Sequence, residues 1–534
     1  MFGSSRPLAA ATAAPEPRVW WLLWGVVLAV AVWGRQLLPI DETRYAAVAW
    51  EMWRDQHWLY PTLDGGFYAQ KPPLLFWLTL AVWAVVGVAD WVPRAIVAIM
   101  GLATIAASAR LAQRLWPHTP AVARWVPATF GLVLIWLLFA PAWYFDIPNA
   151  LWCVVGVHGL LDLAARRWGR GAALLALAFV AGVFTKGPMV LLTVGAAAVW
   201  APLWGPRWVG WQQPPLWKAA MVVALTAVLG LAVYAGWLAW ASAHAGEAVW
   251  RAVLGAQAVD RLSDDADHAS PFWWYAPQLL WMLWPAWAVA LALLRRRGSV
   301  QGDAGTGLVW GTFALLLLVL SLAAGKRGHY LMGWVPLGAV WLAARLATAD
   351  LRVAPAWGWR VLAALPALVV GAALAVWVGR PQVVQAYPWA GPALQAVGAA
   401  LVVWALVMAW PARDAARWVQ RLAAGGIGLV LLHVAVAHAM GPSFQLRALA
   451  EQVGEAMRAG HPVAWTDGRF HGVLSFYGRL PRTPELLAPE QAAQWLARHP
   501  DGWVLVRSKP APDERTPHCV PYRSSWLCIV RAGT

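Results

Sequence analysis

Asp41-Glu42-Thr43-Arg44-Tyr45 sets two adjacent carboxylates and a guanidinium immediately after the first apolar stretch of the chain. A carboxylate at the edge of an apolar phase is either paired or functional, and an acid pair beside a cation can take a proton or orient a nucleophile. Further polar motifs lie between apolar stretches in the same way: Tyr68-Ala69-Gln70-Lys71-Pro72, Tyr144-Phe145-Asp146-Ile147-Pro148-Asn149, Thr185-Lys186-Gly187-Pro188 and Gly325-Lys326-Arg327-Gly328-His329-Tyr330. Lys71, Lys186 and Lys326 each close a different connection, and basic side chains brought together from three hairpins suit a phosphate. The same residues have plainer readings. Asp41 can cap a helix and Glu42 can favour its positive end. Lys71 can be an interfacial anchor, and Asp146 can cap the helix that Pro148 helps to start. Spacing alone leaves both readings open.

The elements that position these groups follow from composition. With 61% hydrophobic and 12% charged residues, a mean hydropathy of +0.55 and apolar runs of about 20 residues, the chain reads as an all-α polytopic membrane protein. The formal net charge of +16 does not indicate nucleic acid, because the sequence has no basic stripe interleaved with exposed aromatics and no nucleic-acid module. The 43 tryptophans suit span ends, where indole buries its ring and keeps its N–H near headgroups.

With the amino terminus inside, the basic clusters Arg110/Arg114/Arg124, Arg166/Arg167/Arg170, Arg207/Lys218, Arg295/Arg296/Arg297, Arg345/Arg352/Arg360 and Arg413/Arg417/Arg421 stay inside on one condition. The apolar stretch 72–89 must lie in the outer leaflet without crossing. Thirteen spans then run from 19–38 to 422–441, preceded by a cytoplasmic tail at 1–18. Of 17 Asp and Glu before residue 442, twelve fall outside; the positive-inside rule ignores acids, so this surplus points to a working surface there. Tyr45, Val48, Ala49, Met52 and Trp53 predict an interfacial amphipathic helix over 42–56 with Arg44, Glu51 and Asp55 toward water.

The loop 242–276 carries Arg251, Gln257, Asp260, Arg261, Asp264, Asp265 and His268, and its length suits a lid or binding segment. Residues 442–534 change composition and read as a small outer α/β domain: helices at 442–460 and 488–499, and strands at 463–466, 473–477 and 503–506. Cys519 and Cys528 flank a short turn there and suit a disulfide, whereas Cys153 falls inside a span. An outer polar edge over nearly charge-free spans fits an enzyme acting on a lipid-borne substrate. A transporter or flippase of lipid-linked sugars would be expected to carry charged or broken segments near mid-membrane, and a structural protein recruiting partners through its tail is the third class.

Taken in order, the motifs at 41–45, 68–72, 185–188 and 257–275, with Lys326 and Tyr330, resemble the aminoarabinose transferases that modify lipid A. More broadly the chain resembles C-type glycosyltransferases that use polyprenyl-phosphate sugars, a group that includes protein O-mannosyltransferases. The resemblance covers most of 20–345. It implies a bacterial inner-membrane enzyme with about 13 transmembrane helices, periplasmic juxtamembrane helices, and an active face and carboxyl terminus in the periplasm. Its partners would be an undecaprenyl-phosphate-linked sugar donor, a lipid or other periplasmic acceptor and membrane lipids. It implies Asp41 as base or acceptor-orienting group, Asp146 as the second acid and Lys71 as a donor-phosphate contact, with Glu42, Arg44, Tyr68, Lys186, Arg261, Lys326 and Tyr330 completing the binding set. Members often carry an acid directly before the loop lysine, implicated in metal contact in some, where this chain has Gln70. A divalent metal stays open on this reading, with no metal ligand and no other cofactor assigned.

Overall fold

In hydrocarbon every backbone N–H and C=O must be satisfied within the protein, so apolar runs of this length fold as helices. The computed structural model describes residues 14–246, 249, 253, 270–294, 304–378, 380, 391–439, 441, 446–508, 518–522 and 525–532. The membrane region comprises α1 (Pro17–Trp33), α2 (Asp41–Arg54), α3 (Leu74–Val86), α4 (Val92–Leu115), α5 (Ala121–Phe130), α6 (Leu134–Phe139), α7 (Asp146–Ala164), α8 (Trp168–Lys186), α9 (Met189–Val199), α10 (Ala201–Trp204), α11 (Leu216–Ala245), α12 (Tyr275–Met282), α13 (Ala286–Leu294), α14 (Ala304–Leu322), α15 (Val335–Thr348), α16 (Trp357–Val378), α17 (Gly391–Ala409) and α18 (Ala415–Ala439). A two-stranded hairpin, β1 (Thr62–Leu63) and β2 (Gly66–Phe67), follows α2.

Among the described residues, eight helices are long and apolar enough to cross a bilayer, or nine if α9 and the segment 201–207, bent by 41°, form one span. The thirteen expected spans all fall on helix, yet several are shorter or broken. The breaks between α5 and α6 and between α12 and α13 face each other. Leu134 N donates to the Trp284 carbonyl and Ala286 N to the Leu132 carbonyl, both at 2.9 Å. Each interruption thus satisfies the other's freed backbone groups, which is how irregular backbone survives at depth. Hydropathy windows see only the apolar run and read through both.

α3 has 13 residues, about 20 Å of helix, against about 30 Å of hydrocarbon core. That length suits the expected non-crossing placement. It ends at Gly87, whose φ of +84° a side chain rarely adopts.

The carboxyl-terminal region carries α19 (Arg447–Arg458), β3 (Val463–Trp465), α20 (Ser475–Gly478), β4 (Glu485–Leu486), α21 (Ala492–Arg498), β5 (Trp503–Ser508), β6 (Cys519–Tyr522) and β7 (Ser525–Arg531). Its sheet runs β4-β3-β5-β7-β6, with β3 parallel to β4 and β5, and β7 antiparallel to β5 and β6. Cys519 stands opposite Cys528 in register, and a disulfide joins them. The strand expected at 473–477 is instead a turn and α20. Phe476 is pulled onto Trp83 of α3, ring centroids 5.6 Å apart, and this packing outweighs the local β preference of an aromatic run. The tail domain also binds the first loop: Trp50 Nε1 and Arg54 Nη1 both donate to the Leu480 carbonyl, at 3.2 and 3.0 Å.

Candidate active site

α2 forms because Tyr45, Val48, Ala49 and Met52 make one apolar stripe, and all four are buried. Its Glu51 does not face water as the pattern suggested. It is buried and accepts backbone N–H bonds from Asp64 at 2.8 Å and Gly65 at 3.3 Å, pinning the β1–β2 turn onto the helix. The periodicity placed Glu51 correctly off the apolar stripe, but the tail and hairpin cover the second face as well.

Asp41 and Glu42 open the first turn, where the positive helix end favours both. Asp41 makes no capping bond. It accepts from the Arg44 guanidinium and from Tyr144 Oη at 3.2 Å. Its side chain remains 43% exposed, so the carboxylate is oriented and still reachable.

Glu42 has the opposite environment. Arg35 grips it through two bonds of 2.5 and 2.8 Å, and the backbone N–H groups of Leu38 and Trp143 donate at 2.9 and 2.8 Å. Burial pushes its carboxyl upward, but the Arg35 charge and bonds outweigh that and hold it at about 2. Glu42 is 2% exposed and, through these bonds, organises the loop. Arg94 braces the same corner by donating to the Arg35 carbonyl at 2.7 Å.

Lys71 reaches from the end of the loop over the rings of Tyr45 and Phe145, at 5.9 and 5.8 Å from their centroids. Tyr68, buried beside Arg44, donates to Gln70 Oε1 at 3.3 Å, and burial pushes its phenol above the ordinary range. Asp146 does not cap either; it is the first residue of α7, buried, and paired with Lys186 from the last turn of α8. Gly187, at φ +67°, lets the chain turn straight into α9 behind that lysine. Lys186 also lies 5.2 Å from the Tyr330 ring centroid.

His329 and Lys71 fall within electrostatic reach of Asp146 alongside Lys186. Burial, with the neighbouring Lys186, Lys71 and Arg327 charges, pushes His329 down to about 3 despite Asp146, so its imidazole is neutral at physiological pH. Phe139 bridges the two halves, with its ring 4.6 Å from Tyr144 and 5.7 Å from His329. The loop residues Asp41, Arg44, Tyr68 and Lys71 and the inter-helix residues Asp146, Lys186, His329 and Tyr330 thus share one end of the helical bundle.

Among the described residues, Lys326 has a different setting. It is buried and donates to the carbonyls of Ser270 and Ala323, at 2.7 and 2.6 Å, closing the end of α14. Arg261 and His268 lie outside the described residues. Among those described, no group of three His, Cys, Asp or Glu could hold a metal ion. Sequence reasoning missed Tyr144 and His329 as site residues. Both stand within the quoted motifs, and the available signal was their adjacency to an acid or base in a very short connection.

A polytopic helical bundle with its acids and bases gathered at one end, and a small α/β domain over that end, is the C-type glycosyltransferase architecture. No family model matches the chain. Its fold is shared by ArnT from Cupriavidus metallidurans, solved bound to undecaprenyl phosphate (TM-score 0.74, 16% identity, 96% of this chain and 97% of that one) and in the apo state (TM-score 0.70, 15% identity, the same coverage).

Among curated relatives, the undecaprenyl phosphate-alpha-4-amino-4-deoxy-L-arabinose arabinosyl transferase of Enterobacter sp. (strain 638) is 29% identical over 416 residues, 74% of this chain and 72% of the relative. The Pseudomonas aeruginosa PAO1 protein of that name is 30% identical over 301 residues, 55% of this chain and 52% of the relative. In Pseudomonas fluorescens (strain Pf0-1), transferase 1 is 29% identical over 331 residues, 58% and 55%. The chain therefore spans about half the length of these Pseudomonas relatives and more of the Enterobacter one. The chain is thus a multi-pass helical membrane protein that shares its fold with ArnT and is similar in sequence to the undecaprenyl phosphate-aminoarabinose arabinosyl transferases.

Proposed function

We propose that the protein moves a sugar from an undecaprenyl-phosphate carrier to a lipid A-like or other acceptor at the periplasmic face of the bacterial inner membrane. The observation that carries this reading is the pairing of a reachable, oriented carboxylate, Asp41, with the cations Arg44 and Lys71 on one loop. The curated relatives are named for undecaprenyl-phosphate aminoarabinose transfer, and the charge asymmetry of the loops supports the periplasmic orientation.

The acceptor oxygen attacks the anomeric carbon from the face opposite the phosphate, and the C–O bond to phosphate breaks with its electron pair leaving on the phosphate. The centre inverts. The leaving group is the polyprenyl phosphate monoester, acidic enough to depart unprotonated, so fixed cations matter more than a general acid. On this reading Lys71 and Arg44 hold that charge, and Lys186, paired with Asp146 beside Tyr330, adds to the positive field. An acceptor hydroxyl would lose its proton to Asp41; an acceptor phosphate is already anionic, and Asp41 would orient it through the network with Tyr144 and Arg44.

Purified protein in liposomes, given undecaprenyl-phosphate aminoarabinose and lipid A, should add the mass of one sugar to the acceptor. Movement of the donor between leaflets without any acceptor mass change would favour a flippase and overturn this function.

A further inference from the structure

A second polar cavity, of about 340 Å³, lies at the same end of the bundle, with Arg35, Asp90, Trp91, Arg94, His438 and Arg447 in its walls. None of Asp41, Arg44, Lys71, Asp146 or Lys186 lines it. It is framed by the segment after α1, the start of α4, the end of α18 and the start of α19, so the membrane region and the tail domain both build it.

Its charges are incompletely matched. Arg35 shares Glu42, and Arg447 bonds Asp90 Oδ2 at 2.9 Å, an oxygen that also accepts from Tyr477 at 3.1 Å. Arg94 is only 1% exposed and Arg35 6%. Arg94 hydrogen-bonds a backbone carbonyl rather than a carboxylate, and the buried Nε atoms of Arg35, Arg94 and Arg447 all lack an acceptor among the described residues. A buried guanidinium without its own anion is costly. α4 begins at this wall, 24 residues long and with no side-chain cap, so its positive end adds to the field.

We propose that this cavity is an anion site for a phosphate group, supplied by the headgroup of an outer-leaflet lipid, and is distinct from the donor site around Lys71. Arg94 and Arg447 ligate the phosphate, while Arg35, held by Glu42, sets the potential. A lipid is the favoured source because Trp33 and Trp91 also line the cavity, with rings 5.9 Å apart. Paired indoles at the ends of apolar helices mark the headgroup level. The inference does not use the transfer reaction and stands apart from it.

The test is thermal unfolding of the purified full-length protein in detergent with added phosphatidic acid, phosphatidylcholine or inorganic phosphate. It is run on wild type, Lys71→Met, Arg94→Gln and Arg447→Gln. Phosphatidic acid should stabilise wild type and Lys71→Met alike, phosphatidylcholine should not, and the half-maximal concentration should rise at least about tenfold in the two arginine variants. Equal stabilisation by inorganic phosphate would support the anion site and assign it to free phosphate. The Arg447 side chain is 44% exposed, so Arg447→Gln should fold even if Arg94→Gln does not accumulate. Equal responses to both lipids, an effect lost in Lys71→Met, or arginine variants that respond as wild type would overturn the proposal.

Discussion

The Tyr144 hydroxyl donates to Asp41 Oδ2 at 3.2 Å and so ties the first loop to the turn that carries Asp146. With Arg44 on the other oxygen, the carboxylate is held in one orientation while part of it stays open. Tyr144→Phe removes that bond and keeps the ring that packs on Phe139. Loss of one charge-assisted hydrogen bond should lower kcat about tenfold with the donor KM little changed and the protein normally folded. Steady-state kinetics at equal protein level check it; an unchanged kcat would mean that Tyr144 has no part in positioning Asp41.

Asp146 and Lys186 should behave as a buried pair. Asp146→Asn leaves Lys186 without its carboxylate, and breaking such a pair costs on the order of 3–5 kcal/mol. The double variant Asp146→Asn/Lys186→Met removes both charges and should regain most of that stability without regaining transfer. Thermal unfolding of both singles and the double forms the cycle. A double variant no more stable than Asp146→Asn would show that the two charges are not coupled.

Acid should weaken the loop through Glu42. Its folded value lies at about 2 against an ordinary 4.5, so its stabilising contribution is fully present above about pH 4.5 and is lost as pH falls toward about 2. Glu42→Gln should therefore melt lower than wild type at pH 7, and the gap should narrow progressively below pH 4.5. A gap that stayed constant from pH 7 to pH 3 would contradict the assignment of Glu42 as the anion of this corner.

In the tail, the Cys519–Cys528 disulfide leaves Cys153 as the free cysteine. Quantitative thiol labelling of unreduced, denatured protein should find one reactive thiol, and Cys519→Ser/Cys528→Ser should lower the tail's stability by roughly 2–3 kcal/mol. Three reactive thiols would contradict the pairing.

Much of this was legible because hydrophobic length and loop charge are local properties. The apolar runs located the helices, and the 3.6-residue stripe located α2. What was not legible depends on partners distant in sequence. Nothing near Glu51 announces that the β1–β2 turn will cover it. Nothing near Lys326 says that its ammonium will close a helix end against Ser270. The paired breaks at Val133 and Pro285 likewise need both segments in hand, and the strand expected at 473–477 lost to packing against Trp83.

The central claim is that the Asp41 carboxylate serves sugar transfer. Asn keeps the size of Asp and leaves Arg44, Tyr144 and Lys71 in place, so Asp41→Asn should insert and melt as wild type does. In liposomes containing undecaprenyl-phosphate aminoarabinose and lipid A, its rate of adding sugar mass to the acceptor should fall by about a hundredfold or more at equal inserted protein. Near-normal transfer by Asp41→Asn would contradict the account and leave Asp41 as a charge that only favours the start of α2.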